Sequence, residues 1–420
     1  MIIQARREKA HLFNIIAILI TLSALFGYIN HRFIKLPTTI GLMLISILMS
    51  LGMVILGHLG EVGFGIEKQW IEIVRTIDFN KTLMVGMLSF LLFAGALHVD
   101  LNELTNRKWE VLVFATLGVM LSTVLVGTRT YLLSGYLGLG LSFVYCLLFG
   151  ALISPTDPIS VVWMLKKAGA PKSLEALIAG ESLFNDGIGV VVFITIWEVA
   201  FGQSDISFGG ISLLFAEEVI GGIFVGLSTG WVAYKLLKSI DNYQVEVLIT
   251  LSLVMGGFAL ASEVSSSGPI AIVVAGLLIG NHGRQFAMSA KTRQNLDMFW
   301  ELTDEILNSL LFVLIGIELL MIQLSTRYII AGMAAVLIVL LSRVVSIGVP
   351  QLMFSIGKKF DYASLKIMTW GGLRGGIAVA LALSLPVGTE RGVIITMTYI
   401  VVVFSILVQG LTVKYLVRTV

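Results

Sequence analysis

Long apolar runs constrain this sequence more than any other feature. A transmembrane helix needs about 20 consecutive apolar residues to cross the hydrocarbon core of a bilayer, and runs of that kind follow one another along the chain. We predict 13 transmembrane helices, of which the ninth is short enough to be re-entrant or only partly spanning. Their approximate bounds are 12–30, 36–59, 82–99, 110–133, 138–166, 174–201, 211–238, 245–263, 268–281, 297–320, 328–354, 363–386 and 391–418.

The composition supports a membrane protein and excludes several other classes. Of the 420 residues, 57% are hydrophobic and 13% are charged, whereas soluble domains carry about 25% charged residues. The net charge of +2 gives no sign of nucleic-acid binding, and the single cysteine, Cys146, excludes an internal disulfide or a cysteine-based metal site. We therefore predict an all-α polytopic membrane protein, with residues 1–420 forming one integral membrane unit and no bound cofactor.

The distribution of lysine and arginine predicts the orientation of the chain. Cytoplasmic loops carry an excess of these residues. With 13 spans, the loops on the side of the C-terminus hold more of them than the loops on the other side. This predicts a cytoplasmic C-terminus and an N-terminus outside, although three basic residues among the first ten fit that orientation less well.

Two of the predicted helices are interrupted. The fifth contains the sequence SPTDP at 154–158, and the twelfth contains WGGLRGG at 370–376. Prolines remove backbone donors and glycines let the backbone unwind, and freed carbonyls in a membrane are tolerated only where they line a cavity. The two interruptions lie seven spans apart, so the segments have opposite topology. This predicts an inverted repeat with two broken helices that cross near the middle of the membrane, as in many secondary transporters. Kinks that serve packing alone could explain either interruption by itself.

Few ionisable residues lie inside the predicted spans. Each costs about 3 kcal/mol on membrane-insertion scales and is a candidate functional residue for that reason. The candidates are Asp157, Glu181, Asp186, Glu198, Glu318, Arg343 and Arg374. Glu198 and Glu318 lie close to helix ends, as Asp100 and Glu263 do, and we interpret these four as interface anchors.

The sixth predicted helix carries the strongest candidate. Ser182, Asn185 and Asp186 have the spacing i, i+3 and i+4, so they share one face of the helix, with Glu181 beside them. Hard cations take oxygen ligands, and a carboxylate with serine and threonine hydroxyls or freed carbonyls suits Na⁺ or Li⁺. Burial disfavours the charged form of a carboxylate, so Asp186 can exchange a proton for a cation near neutral pH. A structural salt bridge is the alternative role for Asp186.

The arginines inside the spans need negative partners. We expect one of them to pair with Glu181 and to hold the protein together without taking part in transport. Arg343 is the preferred partner. Arg374 lies in the interrupted twelfth helix, where it could pair with Asp157 or point into the cavity.

These motifs occur together in a known family. The TDP of 156–158, the ESLFNDG of 181–187, the LLFAGALHVDL of 91–101 and the WGGLRGG of 370–376 resemble the monovalent cation/proton antiporters of the NhaP/NHE type (the CPA1 branch). The resemblance runs from the third span to the last. ESLFNDG beside a TDP interruption is its most specific part.

The resemblance implies an architecture. It points to an NhaA/NapA-like antiporter fold with 13 spans, a homodimer and alternating access by an elevator-like motion. The core helices that transport the ion would lie at approximately 82–201 and 297–386, and the remaining helices would form the dimerisation scaffold. Membrane lipids and a second copy of the chain are then the expected partners, and nucleic acid is not.

The resemblance also implies roles for individual residues. It places the Na⁺ site at Asp186, with Ser182 and Thr156 as oxygen ligands and Asp157 nearby. Asn185, which precedes the key aspartate, is typical of a branch with electroneutral exchange of one cation for one proton.

Two further points of the resemblance concern structure rather than transport. Glu181 with an arginine corresponds to the family's structural ion pair. Some relatives have a carboxylate where this sequence has Ala94, so the likeness does not extend to a ligand from the third span.

The predicted function is Na⁺(Li⁺)/H⁺ antiport across a bacterial inner membrane, with Na⁺ exported at the expense of the inward proton gradient. K⁺/H⁺ antiport by the same residues is the alternative, because the types of oxygen ligand do not separate the two cations. A cation channel or a non-transporting sensor agrees less well, since no filter-like loop is present. An enzyme is not expected, because the sequence has no nucleophile motif, metal-ligand set or cofactor fingerprint.

Overall fold

The computed structural model describes residues 2–58, 86–158, 161–162, 165–166, 169, 171–201, 208–319, 325–354 and 362–417. Most of these residues are helical, and no β-strand occurs among them. The helices of the first half are α1 (Ile2–Ile29), α2 (Thr38–His58), α3 (Leu88–Leu97), α4 (Leu101–Asn106), α5 (Lys108–Leu137), α6 (Phe143–Leu152), α7 (Lys172–Phe201) and α8 (Phe208–Lys238). Those of the second half are α9 (Tyr243–Glu263), α10 (Gly268–Leu278), α11 (Ala290–Glu318), α12 (Thr326–Phe354), α13 (Tyr362–Trp370), α14 (Gly376–Leu383), α15 (Thr389–Phe404) and α16 (Gly410–Val417).

The helices have the length and surface of a membrane protein. In the described residues, seven helical segments are long and apolar enough to cross a bilayer, and α3 and α6 are shorter apolar helices. Large apolar side chains such as Leu132, Phe224 and Leu337 are 67%, 70% and 62% exposed, as is expected where lipid rather than water covers the surface. The protein is therefore an all-helical polytopic membrane protein. The start of the third predicted span and most of 159–170 lie outside the described residues, so the count of 13 stays a prediction.

The long helices pack in two sets of neighbours. In one set, α5 packs against α6, α7 and α12. In the other, α10 packs against α3, α8 and α9, and α11 packs against α1, α2 and α3. Small residues permit the closest approaches, as at Gly150 of α6, where an added Cβ would collide with the carbonyl oxygen of Thr123 of α5.

Both predicted interruptions are present, and they meet. α6 ends at Leu152, and a non-helical segment follows. The second interruption separates α13 from α14. The amide of Asp157 donates to the carbonyl oxygen of Leu373 at 2.8 Å, forming an isolated antiparallel bridge. An added Cβ at Gly375 would lie 3.2 Å from the Cβ of Asp157, so a glycine lets the two interruptions approach this closely.

Candidate ion-binding site

The polar face of α7 is buried in the protein. Glu181, Ser182, Asn185 and Asp186 are between 0% and 9% exposed, and they lie on the face predicted from their spacing. α7 can approach the first interruption closely because Gly189 has no side chain. An added Cβ there would lie 2.6 Å from Cγ of Pro155. The local sequence therefore brings a row of polar groups against a segment of non-helical backbone.

Asn185 and Ser182 hold Thr156 of the interruption in place. The Nδ2 of Asn185 donates to Thr156 Oγ1 at 2.8 Å, and its Oδ1 accepts from the Thr156 amide at 3.2 Å. The hydroxyls of Thr156 and Ser182 are 3.0 Å apart. Thr156 is thus in direct contact with Ser182 and Asn185 of the same predicted site, although they lie 26 and 29 positions away in the chain.

Two carboxylates belong to the same region. Asp186 follows Asn185 on α7, and Asp157 follows Thr156 in the interruption. The two are close enough to act on one another electrostatically, and Glu181 and Arg374 also act on Asp186. The described residues contain no group of three or more His, Cys, Asp or Glu side chains that could hold a metal. The site offers the hydroxyls of Thr156 and Ser182 beside the carboxylates of Asp157 and Asp186. Such a mixed set of oxygen ligands suits a hard cation.

Glu181 forms a buried ion pair with Arg343 of α12. Two parallel hydrogen bonds of 2.9 and 3.0 Å join the guanidinium to the two carboxylate oxygens, a bidentate geometry that is among the strongest in proteins. Glu181 Oε1 also accepts from Asn185 Nδ2 at 2.7 Å. The structure thus gives Glu181 the partner that the sequence analysis preferred, and the pair connects α7 to α12.

Arg374 has a different position from the one expected of an ion-pair residue. Its Nη1 donates to the carbonyl oxygens of Ser154 and Pro155 at 2.6 and 3.0 Å. Within the described residues Glu181 pairs with Arg343 and not with Arg374, in agreement with the preference for Arg343. The physical reason is that the interruption frees carbonyls at the end of α6, and these need donors. A buried guanidinium supplies them from the other interrupted helix.

Three residues of α11 near the site, Asp304, Asn308 and Leu311, were not predicted from the sequence. Asp304 acts electrostatically on Asp157 and forms a hydrogen bond with Asn308. Leu311, on the same face of the helix, occupies the space beside Gly376 at the start of α14. The signal was available, because 304, 308 and 311 have the spacing i, i+4 and i+7 of one helix face.

The four residues interpreted as interface anchors lie away from this site. Asp100 precedes α4 and accepts a hydrogen bond from the amide of Asn102 at 2.8 Å, as an N-cap does. Glu198 and Glu263 are exposed, and Glu318 is half-buried as the last residue of α11.

Comparisons with known proteins agree with these observations. The family model described as "Sodium/hydrogen exchanger, transmembrane" matches residues 20–419. The chain is 48% identical to the Na(+)/H(+) antiporter NhaP of Pseudomonas aeruginosa, with 96% of each chain covered. It is 33% identical to the Na(+)/H(+) antiporter NhaH of Halobacillus dabanensis, with 92% of this chain and 93% of the relative covered. Among solved structures, the sodium proton antiporter MjNhaP1 from Methanocaldococcus jannaschii matches with a TM-score of 0.74 at 20% identity, over 97% of this chain and 98% of that one.

Proposed function

The chain belongs to the sodium/hydrogen exchanger transmembrane family, and from this premise we propose that it exchanges Na⁺ or Li⁺ for H⁺ at Asp186. The curated relatives are described as Na(+)/H(+) antiporters, which favours Na⁺ over the K⁺/H⁺ alternative. The single observation that carries the proposal is the contact of Thr156 with Ser182 and Asn185. This contact places the hydroxyls of Thr156 and Ser182 next to the two aspartates, Asp186 and Asp157, at the interrupted helix.

Exchange follows from competition for one carboxylate. Asp186 is buried and can be neutralised either by a proton or by a cation. A cation that has lost its water needs several oxygens, which the hydroxyls of Ser182 and Thr156 and the carboxylate of Asp157 supply. Since both ions need the same group, binding of one releases the other, and the cation and the proton are carried in alternate conformations.

The stoichiometry follows from the side chain at position 185. Asn185 is neutral, and its amide is used by Thr156 and Glu181. α7 therefore presents one exchanging carboxylate, Asp186. Replacement of one proton by one monovalent cation leaves the charge of the site unchanged, so we propose electroneutral exchange of one ion for one ion.

The wider architecture belongs to the same proposal. It comprises 13 spans with inverted repeats and two broken, crossing helices, as in NhaA/NapA-like antiporters. Core helices at approximately 82–201 and 297–386 move like an elevator against a dimerisation scaffold. The protein is a homodimer in a bacterial inner membrane, with its N-terminus outside and its C-terminus in the cytoplasm. The meeting of the two interruptions at Asp157 and Leu373 supports this arrangement.

Everted membrane vesicles test the exchange activity. A fluorescent dye reports an imposed proton gradient, and Na⁺, Li⁺ and K⁺ are added in turn with and without a membrane potential. We expect Na⁺ and Li⁺ to dissipate the gradient and K⁺ to have little effect.

Two variants of α7 separate the site from the rest of the helix. We expect Asp186→Asn to abolish exchange while the protein remains folded. Glu198→Gln, which alters an exposed carboxylate of the same helix, is expected to behave as wild type. Exchange of wild-type size by Asp186→Asn would refute the assignment, and the absence of exchange with any cation by the unsubstituted protein would refute antiport itself.

A further inference from the structure

A second group of oxygen atoms lies where α9 and α11 begin, apart from the site on α7. Glu246 is in the first turn of α9, and Asp241 lies just before that helix. Ser289 is the N-cap of α11, and Thr292 is in its first turn. We call these four residues the α9–α11 oxygen cluster.

Short contacts join the members of the cluster. Thr292 Oγ1 donates to Oε2 of Glu246 at 2.7 Å and lies 3.4 Å from Oδ1 of Asp241. Ser289 Oγ donates to the same Oδ1 at 2.9 Å and lies 3.0 Å from Thr292 Oγ1. The hydroxyl of Thr292 therefore has a carboxylate on each side, and two negative groups from different segments of the chain come close together.

The hydroxyls cannot satisfy both carboxylates. Each hydroxyl has one proton to donate, so Ser289 and Thr292 supply two donors to four carboxylate oxygens. Glu246 is 1% exposed, and its Oε1 is buried with no hydrogen-bond partner. A buried polar acceptor without a hydrogen-bond partner is costly and is rarely retained without a reason.

Basic residues at the ends of α8 and α11 form no ion pair with the cluster in the described part of the chain, and this includes the exposed Lys291 between Ser289 and Thr292. Arg293 donates from Nε and Nη2 to the carbonyl oxygen of Met288. Lys235 and Lys238, in the last turn of α8, lie over the rings of Trp231 and Tyr234. Across the described ranges of the chain, neither Asp241 nor Glu246 forms an ion pair.

We propose that the α9–α11 oxygen cluster is a regulatory site for a divalent hard cation such as Ca²⁺. Such ions take oxygen ligands from carboxylates, hydroxyls and water, and two carboxylates without a partner cation match a charge of +2. Asp241 is exposed and gives the ion access, whereas Glu246 lies deeper and supplies the unpartnered Oε1. Without the ion, hydroxyl protons of Ser289 and Thr292 link α11 to the carboxylates of Asp241 and Glu246. The bound ion links the two carboxylates directly and holds the start of α11 against the start of α9.

The helix α11 connects the cluster to the region of the ion-binding site. Trp300, two turns along α11 from Thr292, donates to Thr250, one turn along α9 from Glu246, at 3.1 Å. The same helix continues to Asp304, which lies close enough to Asp157 for the two carboxyl groups to interact electrostatically. A cation at the start of α11 therefore stabilises the helix that borders the transport site. This goes beyond antiport, and the binding does not depend on it.

Thermal unfolding of the full chain in detergent tests the proposal. The protein is first treated with a chelator and then titrated with Ca²⁺, Mg²⁺ or Na⁺ at constant ionic strength. We expect Ca²⁺ to raise the Tm by a few degrees in a saturable way. Binding of radioactive ⁴⁵Ca²⁺ should weaken at least about tenfold in Asp241→Asn, because half of the carboxylate ligands are lost, and should disappear in Glu246→Gln.

Matched variants make the outcome decisive. Glu263→Gln changes an exposed carboxylate at the other end of α9, so its response to Ca²⁺ should match wild type. If Glu246→Gln does not fold, Asp241→Asn at the exposed position decides the result. No saturable response of the wild type to Ca²⁺, or an equal response in Asp241→Asn, would overturn the proposal.

A response to Na⁺ that equals the response to Ca²⁺, and that persists in Asp186→Asn, would overturn the divalent assignment. Na⁺/H⁺ exchange in vesicles is measured on the same preparation. Exchange without a Ca²⁺ response means that the divalent site is wrong and antiport is right, and a Ca²⁺ response without exchange means the reverse.

Discussion

At the scale of single residues, the buried polar groups around α7 have separate tasks. The guanidinium of Arg343 takes both oxygens of Glu181, whereas that of Arg374 takes backbone carbonyls of the first interruption. Neither arginine therefore neutralises Asp186 through a direct ion pair in the described residues. This leaves the charge of Asp186 for exchangeable ions, as the proposed function requires.

Loss of Glu181 should affect stability more than ion selectivity. Glu181→Ala leaves Arg343 as an unpaired buried charge, and breaking a buried pair in this way costs about 3–5 kcal/mol. We expect a clearly lower Tm in detergent than for Glu198→Ala, whose side chain is exposed on the same helix. The double variant Glu181→Leu with Arg343→Met should recover most of the stability, because no charge is then left unpaired. An unchanged Tm for Glu181→Ala would contradict the structural role.

At the scale of helices, the fit of α7 against the first interruption determines the site. Gly189 meets Pro155 at this contact, and the proline ring cannot move aside easily. Gly189→Ala should push the interruption away from α7 and lower the rate of Na⁺/H⁺ exchange several-fold while the protein still inserts and folds. Gly95→Ala is the control, since its added Cβ would make only an ordinary contact of 3.8 Å with Leu183. Equal exchange rates for the two variants would show that the contact is not required.

α11 brings a further carboxyl group, that of Asp304, to the region of Asp157. When this group is ionised, its charge should favour the arrival of cations. Asp304→Asn is expected to raise the apparent KM for Na⁺ about two- to tenfold and to change the maximal rate less. Glu305→Gln, which removes an exposed neighbouring carboxylate, should keep the KM of the wild type. Vesicle assays over a range of Na⁺ concentrations provide the comparison.

Patterns within one helix could be predicted from the sequence, whereas contacts between helices mostly could not. The spacing of Ser182, Asn185 and Asp186 gives their common face, and the prolines and glycines give both interruptions. Arg343 was preferred over Arg374 as the partner of Glu181, and the pair is present. The hydrogen bonds of Arg374 with the carbonyls of Ser154 and Pro155 depend on how the two interruptions approach one another, which no local pattern encodes. The spacing of 304, 308 and 311 marks one face of α11, but α11 carries several acidic residues, and the interaction of Asp304 with Asp157 depends on how the helices pack.

At the scale of the whole molecule, the proposed mechanism ties transport to pH through competition. In the proposed mechanism protons and Na⁺ require the same carboxylate, Asp186, so a lower pH on the side where Na⁺ binds is expected to raise the apparent KM for Na⁺. In simple competition by one proton the limiting change is about tenfold per pH unit, because the concentration of the competitor changes by that factor. The maximal rate at saturating Na⁺ should change much less.

The same competition predicts that transport is indifferent to the membrane potential. In the proposed exchange one Na⁺ replaces one proton and the cycle moves no net charge, so a potential imposed with K⁺ and valinomycin should leave the initial rate unchanged. Asn185 is the residue on which this depends, because its amide is held by Thr156 and Glu181 and adds no second exchanging carboxylate to α7. Rates in vesicles at several pH values, with and without the potential, measure both effects. A KM independent of pH would refute competition at Asp186, and a rate that depends on the potential would refute the one-for-one stoichiometry.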